Sequence, residues 1–356
     1  MEGKLNSKMY LLIWGGLLGL VAAALAFMGN PGNMAFCIAC FIRDIAGAAR
    51  FHTAAAVQYM RPEIVGLVAG AFIMSLTAKE YRSTAGSSPM IRFLLGMMTM
   101  IGALIFLGCP LRMVLRMSAG DLNAYVGLIG FVLGAATGCL FLKKGFSLGR
   151  SHDTRRESGY ILPAVLAAML LVSVATTLFT VSSEGPGSMH APVIASLAGG
   201  LVFGAIAQRA RTCFAGGIRD VILMKNFDLL TVILGLFIVM AIYNLATNGF
   251  KLGFQGQPVA HTEALWNILG MYVVGLAAVL AGGCPLRQLI LAGQGSSDSA
   301  VNVLGMLTGA AVCHNFGLAS SGKGTTPAGR IMCLICIVVL LLIGFTCRRS
   351  EAYERN

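Results

Sequence analysis

Two short strings of the same type, each placing a cysteine before a proline, are the residues best suited to chemistry in this chain. They are Gly108-Cys109-Pro110-Leu111-Arg112 and Gly283-Cys284-Pro285-Leu286-Arg287. Proline is pre-shaped for the first position of a helix, so each cysteine is predicted to be an N-cap. The free N–H groups and the positive dipole end at a helix start favour an anion. The strings therefore predict thiols placed beside anion-binding backbone. The alternative is a helix start with an incidental cysteine, although Ser, Asp or Asn would cap better.

A second matched string precedes each of these two. Cys37-Ile38-Ala39-Cys40-Phe41-Ile42-Arg43-Asp44 aligns with Cys213-Phe214-Ala215-Gly216-Gly217-Ile218-Arg219-Asp220, and Cys, Ala, Ile, Arg and Asp agree in register. Two matches in the same order, at nearly the same offset, predict an internal duplication. Each half then presents two cysteines in loops.

The matched residues are given provisional roles. Cys37, Cys109, Cys213 and Cys284 are candidate substrate-contacting thiols, although buried packing remains the alternative for Cys37 and Cys213. Cys40 is unmatched, because Gly216 stands in its place. The supporting set for stabilising an anion or bracing a loop is Gly108, Pro110, Arg112, Gly283, Pro285, Arg287, Arg43, Asp44, Arg219 and Asp220.

Within that supporting set, the glycines are predicted to let a substrate approach the backbone. Arg112 and Arg287, one turn into their helices, would add charge or brace the loops. The two Arg-Asp pairs are predicted to brace loops rather than to touch substrate, since charged groups at membrane depth are usually paired. The remaining cysteines are predicted to pack as small hydrophobic residues: Cys139, Cys313, Cys333, Cys336 and Cys347.

The composition predicts the class of protein that positions these residues. The 356 residues are 57% hydrophobic and only 11% charged, whereas soluble domains carry about 25% charged residues. Runs of roughly 20 apolar residues recur, as membrane-spanning helices require. We therefore expect an all-α polytopic membrane protein. The net charge of +12 lies mostly in short loops, which is a membrane pattern and not a nucleic-acid one.

The spans are predicted to number about ten, within one. They read as 9–28, 64–78, 91–107, 122–142, 160–181, 193–207, 227–246, 264–281, 301–319 and 331–345. Short helices follow Cys109 and Cys284, and the polar stretch 29–61 reads as a re-entrant or broken segment that lines a cavity. The basic front of the first span resembles a signal peptide, but its counterpart at 193–207 is internal, which argues against cleavage.

The division of the chain follows from the repeat. Residues 1–142 form a first membrane repeat, 143–159 a cytoplasmic linker, and 160–356 a second repeat with extra spans. Arg348 and Arg349 would close the chain on the cytoplasmic side. If each cysteine loop returns to its own side, an odd number of crossings separates the halves, so the repeats are inverted. Cys37 and Cys109 would then face outward and Cys213 and Cys284 inward, as in transporters built from broken helices.

At these cysteine strings the chain resembles the YeeE/YedE family of sulfur-compound membrane transporters. The likeness covers most of the chain, and the stretch 108–121 further resembles the YedE/FdhT branch, which is associated with selenium metabolism. The resemblance implies an hourglass-shaped, pseudo-symmetric fold with cysteines along a central path. It implies that Cys37, Cys109 and Cys284 line that path, with Cys213 as the fourth. The extra Cys40 is a departure from the family.

These observations together predict a transporter of the bacterial inner membrane. It would import a small sulfur- or selenium-containing anion by a cysteine relay, with a cytosolic sulfur- or selenium-accepting carrier as a candidate partner. No resident cofactor, metal or nucleic acid is expected, and no P-loop string for ATP is present. The alternative is a membrane enzyme that forms a Cys persulfide or selenosulfide and passes it to a cytosolic partner. A third reading is a redox-sensing or purely structural membrane protein.

Overall fold

A computed structural model describes residues 2–347 and contains fourteen α-helices in that range. The predicted Arg348 and Arg349 lie outside the described residues. The helices are α1 (Glu2–Phe27), α2 (Ile38–Ala48), α3 (Pro62–Thr77), α4 (Pro89–Phe106), α5 (Pro110–Ser118), α6 (Leu122–Lys143), α7 (Ile161–Ala175), α8 (Val193–Arg209), α9 (Phe214–Met224), α10 (Asp228–Ala246), α11 (Ala264–Leu280), α12 (Pro285–Gly293), α13 (Ser297–Asn315) and α14 (Pro327–Thr346). Two-residue strands β1 (Thr84–Ala85) and β2 (His152–Asp153) pair antiparallel.

The helices confirm the all-α polytopic membrane class. Nine stretches of the described chain are long and apolar enough to cross a membrane. Three of them join a long helix to a short cysteine-started one: Pro89–Ser118, Val193–Met224 and Ala264–Gly293. The predicted span 301–319 corresponds to α13, which is long enough but too polar to be counted among the nine. Large apolar side chains such as Leu171 and Ile194 are exposed on the outside, as contact with lipid requires.

One predicted span is wrong at its end. The stretch 160–181 was expected to be helical throughout, but α7 ends at Ala175 and Thr176 is extended. The segment after α7 donates hydrogen bonds to carbonyl groups of two residues, one at the end of α2 and one after α2. The backbone N–H of Thr180 donates to Ala48 O at 3.0 Å, and that of Ser182 donates to Gln58 O at 2.8 Å. The last carbonyls of a helix have no partner within it, and this tertiary need ends α7 early.

Long helices of the first half pack against long helices of the second half. Helix α1 packs on α10 while α8 packs on α3, and α6 packs on α11 while α13 packs on α4. If α1 to α6 correspond in order to α8 to α13, each pair is the counterpart of the other. Glycines permit these close contacts: a Cβ on Gly130 would overlap Ile268 O, and one on Gly96 would overlap Asn302 O. Small residues at the crossing are how membrane helices approach closely.

The two ends of the helix bundle are marked by distinct polar contacts. At the first end, here named the Asn30 end, the turn after α1 meets the starts of α3 and α8. Asn30 donates to Glu63 at 3.0 Å and accepts from the N–H of Ala191 at 2.9 Å. At the opposite end, here named the linker end, Gln208 donates to Glu80 at 3.0 Å. Helix α1 therefore ends where α8 begins.

Candidate functional site

All four repeated cysteines are N-caps, which was predicted for Cys109 and Cys284 and is a new finding for Cys37 and Cys213. Cys37, Cys109, Cys213 and Cys284 precede the short helices α2, α5, α9 and α12, each with extended backbone. Pro110 and Pro285 open α5 and α12 as expected.

Two of the four thiols also cap their helices directly. Cys37 Sγ accepts from the N–H of Cys40 at 3.4 Å, and Cys213 Sγ accepts from that of Gly216 at 3.1 Å. Cys109 and Cys284 make no such side-chain cap. Capping alone therefore does not explain why cysteine stands at all four positions.

Tertiary packing brings the two cysteines of each half together. Cys37 Sγ lies 3.9 Å from Cys109 Sγ, and Cys213 and Cys284 are electrostatic neighbours in the second half. All four are buried, with exposures of 0%, 1%, 6% and 1% respectively, and none is in a disulfide. Each half thus supplies one buried pair of neighbouring cysteines, here called a dithiol pair, and in the first half the two sulfur atoms are in contact.

The short helices that carry these pairs also meet across the two halves. Helix α2 contacts α12, and α5 contacts α9. Each of these contacts joins a helix of one dithiol pair to a helix of the other. The short helices that follow the cysteines of both halves therefore meet inside the bundle.

Cys40 adds a third thiol to the first half only. It is fully buried, and Arg112 Nη1 donates to its Sγ at 3.5 Å. In the second half its place is taken by Gly216, where a Cβ would lie 3.2 Å from Cys213 Sγ. The two halves are thus chemically unequal beside their dithiol pairs.

The two matched glycines, Gly108 and Gly283, make room for the aliphatic parts of the arginine side chains. A Cβ on Gly108 would lie 2.9 Å from Arg112 Cδ, and one on Gly283 would lie 2.9 Å from Arg287 Cγ. This packing role is different from the predicted one, in which the glycines admit substrate to the backbone. Both arginines are held against the cysteine loops by it.

The first Arg-Asp pair braces its loop within a larger buried network. Asp44 pairs with Arg43 at 2.7 Å and with Arg61 at 2.7 Å, and all three side chains are almost fully buried. Arg61 also donates to the carbonyls of Pro186 and Met189, at 2.8 and 3.0 Å. Arg61 was not among the predicted site residues. Its only sequence signal was a positive charge on the side where few are expected.

The second Arg-Asp pair is present but less enclosed. Arg219 and Asp220 approach to 2.8 Å, with 33% and 15% of their side chains exposed. A further pair that the sequence reasoning missed is Arg116 with Asp121, at 2.6 Å and completely buried. Arg116 also donates to Phe106 O at 3.0 Å. It ties the end of α4 to the end of α5, beside the Cys109 loop.

Buried thiol pairs at the starts of broken helices, within an all-α membrane bundle, define a membrane protein of transporter-like architecture. Comparison with known proteins gives the family. Residues 209–343 match the family model described as sulphur transport, and this match confirms the resemblance to the YeeE/YedE family over that segment.

Two curated relatives are similar over shorter segments. The thiosulfate transporter TsuA of Spirochaeta thermophila is 33% identical over 97 residues, which are 27% of this chain and 28% of the relative. The thiosulfate transporter TsuA of Escherichia coli is 30% identical over 107 residues, 30% of each chain. The matched segments thus cover less than a third of these relatives.

Proposed function

We propose that this protein imports a small sulfur- or selenium-containing anion across the bacterial inner membrane through a relay of cysteines. The observation that carries the proposal is the contact of Cys37 Sγ with Cys109 Sγ at 3.9 Å; in the second half Cys213 and Cys284 are likewise neighbours. The name of the family model and the names of the two relatives support a sulfur anion, and make thiosulfate the first substrate to test.

The chemistry of a buried dithiol pair suits such a cargo. An S–H group is a weak, soft donor, and the sulfur itself is a weak acceptor. Helix starts next to each thiol supply N–H groups that hold negative charge without a counterion. Weak binding at successive sites allows an anion to enter and to leave, which conduction requires. Cys37, Cys109, Cys284 and Cys213 are the proposed sites, with Cys40 beside the first pair.

We infer further that residues 1–142 and 160–356 are inverted repeats joined by the linker 143–159. The packing of each half's long helices on those of the other half supports this, and so do the helix directions: α1 ends at the Asn30 end, whereas its counterpart α8 begins there. Basic residues collect at the linker end, including Lys144, Arg150, Arg155 and Arg156, as they do on cytoplasmic sides. Cys37 and Cys109 would then serve the outer half of the path, and Cys213 and Cys284 the inner half.

A cytosolic carrier that accepts sulfur or selenium would meet the protein at the linker end. The proposal does not require it for transport. In the enzyme alternative, by contrast, a cysteine would hold the chalcogen covalently until such a carrier removed it. The two readings therefore differ in whether flux occurs with no partner present and whether a covalent adduct forms.

The test is uptake by the purified protein in liposomes that contain no other protein. Labelled thiosulfate, selenite and selenide-type compounds are compared side by side. We expect saturable accumulation of at least one anion, abolished by Cys109→Ala and by Cys284→Ala. The matched control is Cys139→Ala, since Cys139 is buried in α6 and outside the thiol pairs.

Normal uptake by both Cys109→Ala and Cys284→Ala would overturn the relay. Intact-mass measurement on the same samples addresses the alternative. A stable sulfur or selenium adduct on the protein, together with no flux, would favour the enzyme reading over transport.

A further inference from the structure

Arg112 and Arg287 occupy the same place in the two repeats. Of the two, Arg112 alone donates hydrogen bonds to other residues of the described chain. Arg112 is completely buried. Its Nε donates to Asn33 O at 3.0 Å and its Nη2 to Val259 O at 3.2 Å, while its Nη1 donates to Leu107 O. It ties the end of α4 to two loops of the Asn30 end, so its role is structural.

Arg287 makes none of the equivalent bonds. Within residues 2–347 its guanidinium donates no hydrogen bond, and its Nη1 atom is buried without a partner. A guanidinium carries five N–H donors, and leaving a buried donor unmet is costly, more so for a charged group. The aliphatic part of the Arg287 side chain packs against Gly283, and its guanidinium has donors without acceptors. Such a group is suited to bind an acceptor that comes from outside the protein.

The residue after Arg287 explains why the arginine is not needed to hold the cysteine loop in place. Gln288 donates from Nε2 to Ala281 O at 3.0 Å and to Gly283 O at 3.3 Å, and thereby closes the end of α11. In the first half the equivalent position is Met113, which has no donor to spend in this way. Arg92 adds a second bond to Ala281 O at 3.0 Å. The loop is thus closed without the arginine.

The electrostatic surroundings place Arg287 at the inner thiol pair. Its charged and titratable neighbours are Cys213, Cys284, Arg211 and Glu80. Glu80 is the one acidic group among them, and it is engaged elsewhere, with Arg211 at 3.6 Å and with Gln208 at 3.0 Å. The Cys213–Cys284 pair therefore has a positive group beside it whose hydrogen-bonding capacity is unspent.

We propose that Arg287 binds the transported anion beside the Cys213–Cys284 pair, whereas its repeat partner Arg112 is a structural brace. This inference rests on the proposed function and assigns a specific residue of the inner half to substrate recognition. The ligand class is a small oxyanion of sulfur or selenium, whose oxygens accept from the guanidinium while its soft atom faces the thiols. A planar guanidinium fork matches such oxygens better than a single ammonium group does.

For each variant the experiment measures two quantities. The first is the thiosulfate concentration that gives half-maximal uptake into proteoliposomes, here called half-saturation. The second is the midpoint temperature of thermal unfolding in detergent. For Arg287→Gln we expect an about 10- to 100-fold rise in half-saturation, the equivalent of one charge-assisted hydrogen bond, with an unchanged unfolding midpoint. Arg287→Lys should lie between this variant and the wild type. Arg112→Gln and Arg112→Lys should instead lower the unfolding midpoint. Arg209→Gln, which removes an exposed charge at the linker end, is the control.

Wild-type half-saturation in Arg287→Gln would overturn the inference while leaving transport itself intact. Should Arg287→Gln fail to fold, Arg287→Lys decides: wild-type half-saturation there would count against the fork as the binding group. An effect of Arg209→Gln equal to that of Arg287→Gln would also overturn it, because general charge would then suffice. No uptake by the wild-type protein would overturn the proposed function and this inference together.

Discussion

Arg61 Nε donates to Asp44 Oδ2 at 2.8 Å, and neither side chain has any contact with solvent. The pair joins the start of α3 to α2, the short helix that follows Cys37. Because Asp44 also binds Arg43, one carboxylate pairs with two guanidinium groups in the interior. The position of the Cys37–Cys109 pair therefore depends on a buried charge network.

Asp44→Asn should be among the most destabilising single changes in the chain. It would leave two buried arginines without a counter-charge, and breaking a buried ion pair typically costs about 3–5 kcal/mol. Asp220→Asn is the matched control, because it removes the repeat equivalent, a partly exposed pair with one arginine. Thermal unfolding in detergent should show a clearly larger drop for Asp44→Asn. Equal drops would mean that burial of the network does not determine its contribution.

Cys37→Ser and Cys213→Ser separate helix capping from relay chemistry. Serine is the better N-cap of the two residue types, so both variants should keep the unfolding midpoint of the wild-type protein. A hydroxyl is not a soft sulfur group, so uptake of labelled thiosulfate should fall strongly in both. Full uptake by both serine variants would show that these positions need only a cap.

Gly130→Ala should destabilise the packing of α6 on α11. The new Cβ would overlap the backbone oxygen of Ile268, and backbone cannot move aside as a flexible side chain can. Overpacking of this kind costs about 1–3 kcal/mol. In Gly16→Ala the Cβ would meet only Val239 Cγ2, at an ordinary 3.6 Å, so that variant should unfold like the wild type. Equal unfolding midpoints for the two variants would count against the close α6–α11 contact.

Labelling from each side of the membrane tests the inverted repeat. Ser183→Cys lies in the loop before α8, at the Asn30 end, and Arg150→Cys lies in the linker. Both positions are exposed. A membrane-impermeant maleimide should modify the first from outside intact cells and the second only in inside-out vesicles. Modification of both from one side would rule out the proposed arrangement of the two ends.

The pH dependence of stability should include a contribution from Glu263, just outside the start of α11. Burial acts to raise the pKa of its carboxyl group, but hydrogen bonds from Thr325 and the charge of Arg330 outweigh burial and hold the pKa below its usual 4.5. A lowered folded-state pKa stabilises the fold above the unfolded pKa, and this contribution is lost as pH falls through the folded value. The wild type should therefore unfold at a higher temperature than Glu263→Gln at pH 7, with the gap closing below about pH 4.5. A gap that widens towards acid pH would reverse this assignment.

The sequence by itself determined the local features of this protein. A proline after Cys109 and after Cys284 dictates a helix start, because it fixes the backbone at the first helical position and lacks the N–H that would go unpaired there. Low charge and long apolar runs dictate a bundle of membrane helices, since lipid leaves the backbone no partner except itself. The Gly-Cys-Pro strings placed Cys109 and Cys284 at helix caps, and the structure agrees at both.

Only the tertiary structure decided which of those groups meet. The pairing of Cys37 with Cys109, and the burial of Arg61 against Asp44, join residues far apart along the chain. Such contacts follow from how helices pack, not from any local pattern. The same holds for the difference between Arg112 and Arg287, which both end the string Gly-Cys-Pro-Leu-Arg. Their hydrogen bonds differ because the loops that fold over Arg112 supply carbonyl acceptors. At Arg287 the side chain of Gln288 bonds the carbonyls at the helix end instead, and the guanidinium is left without acceptors.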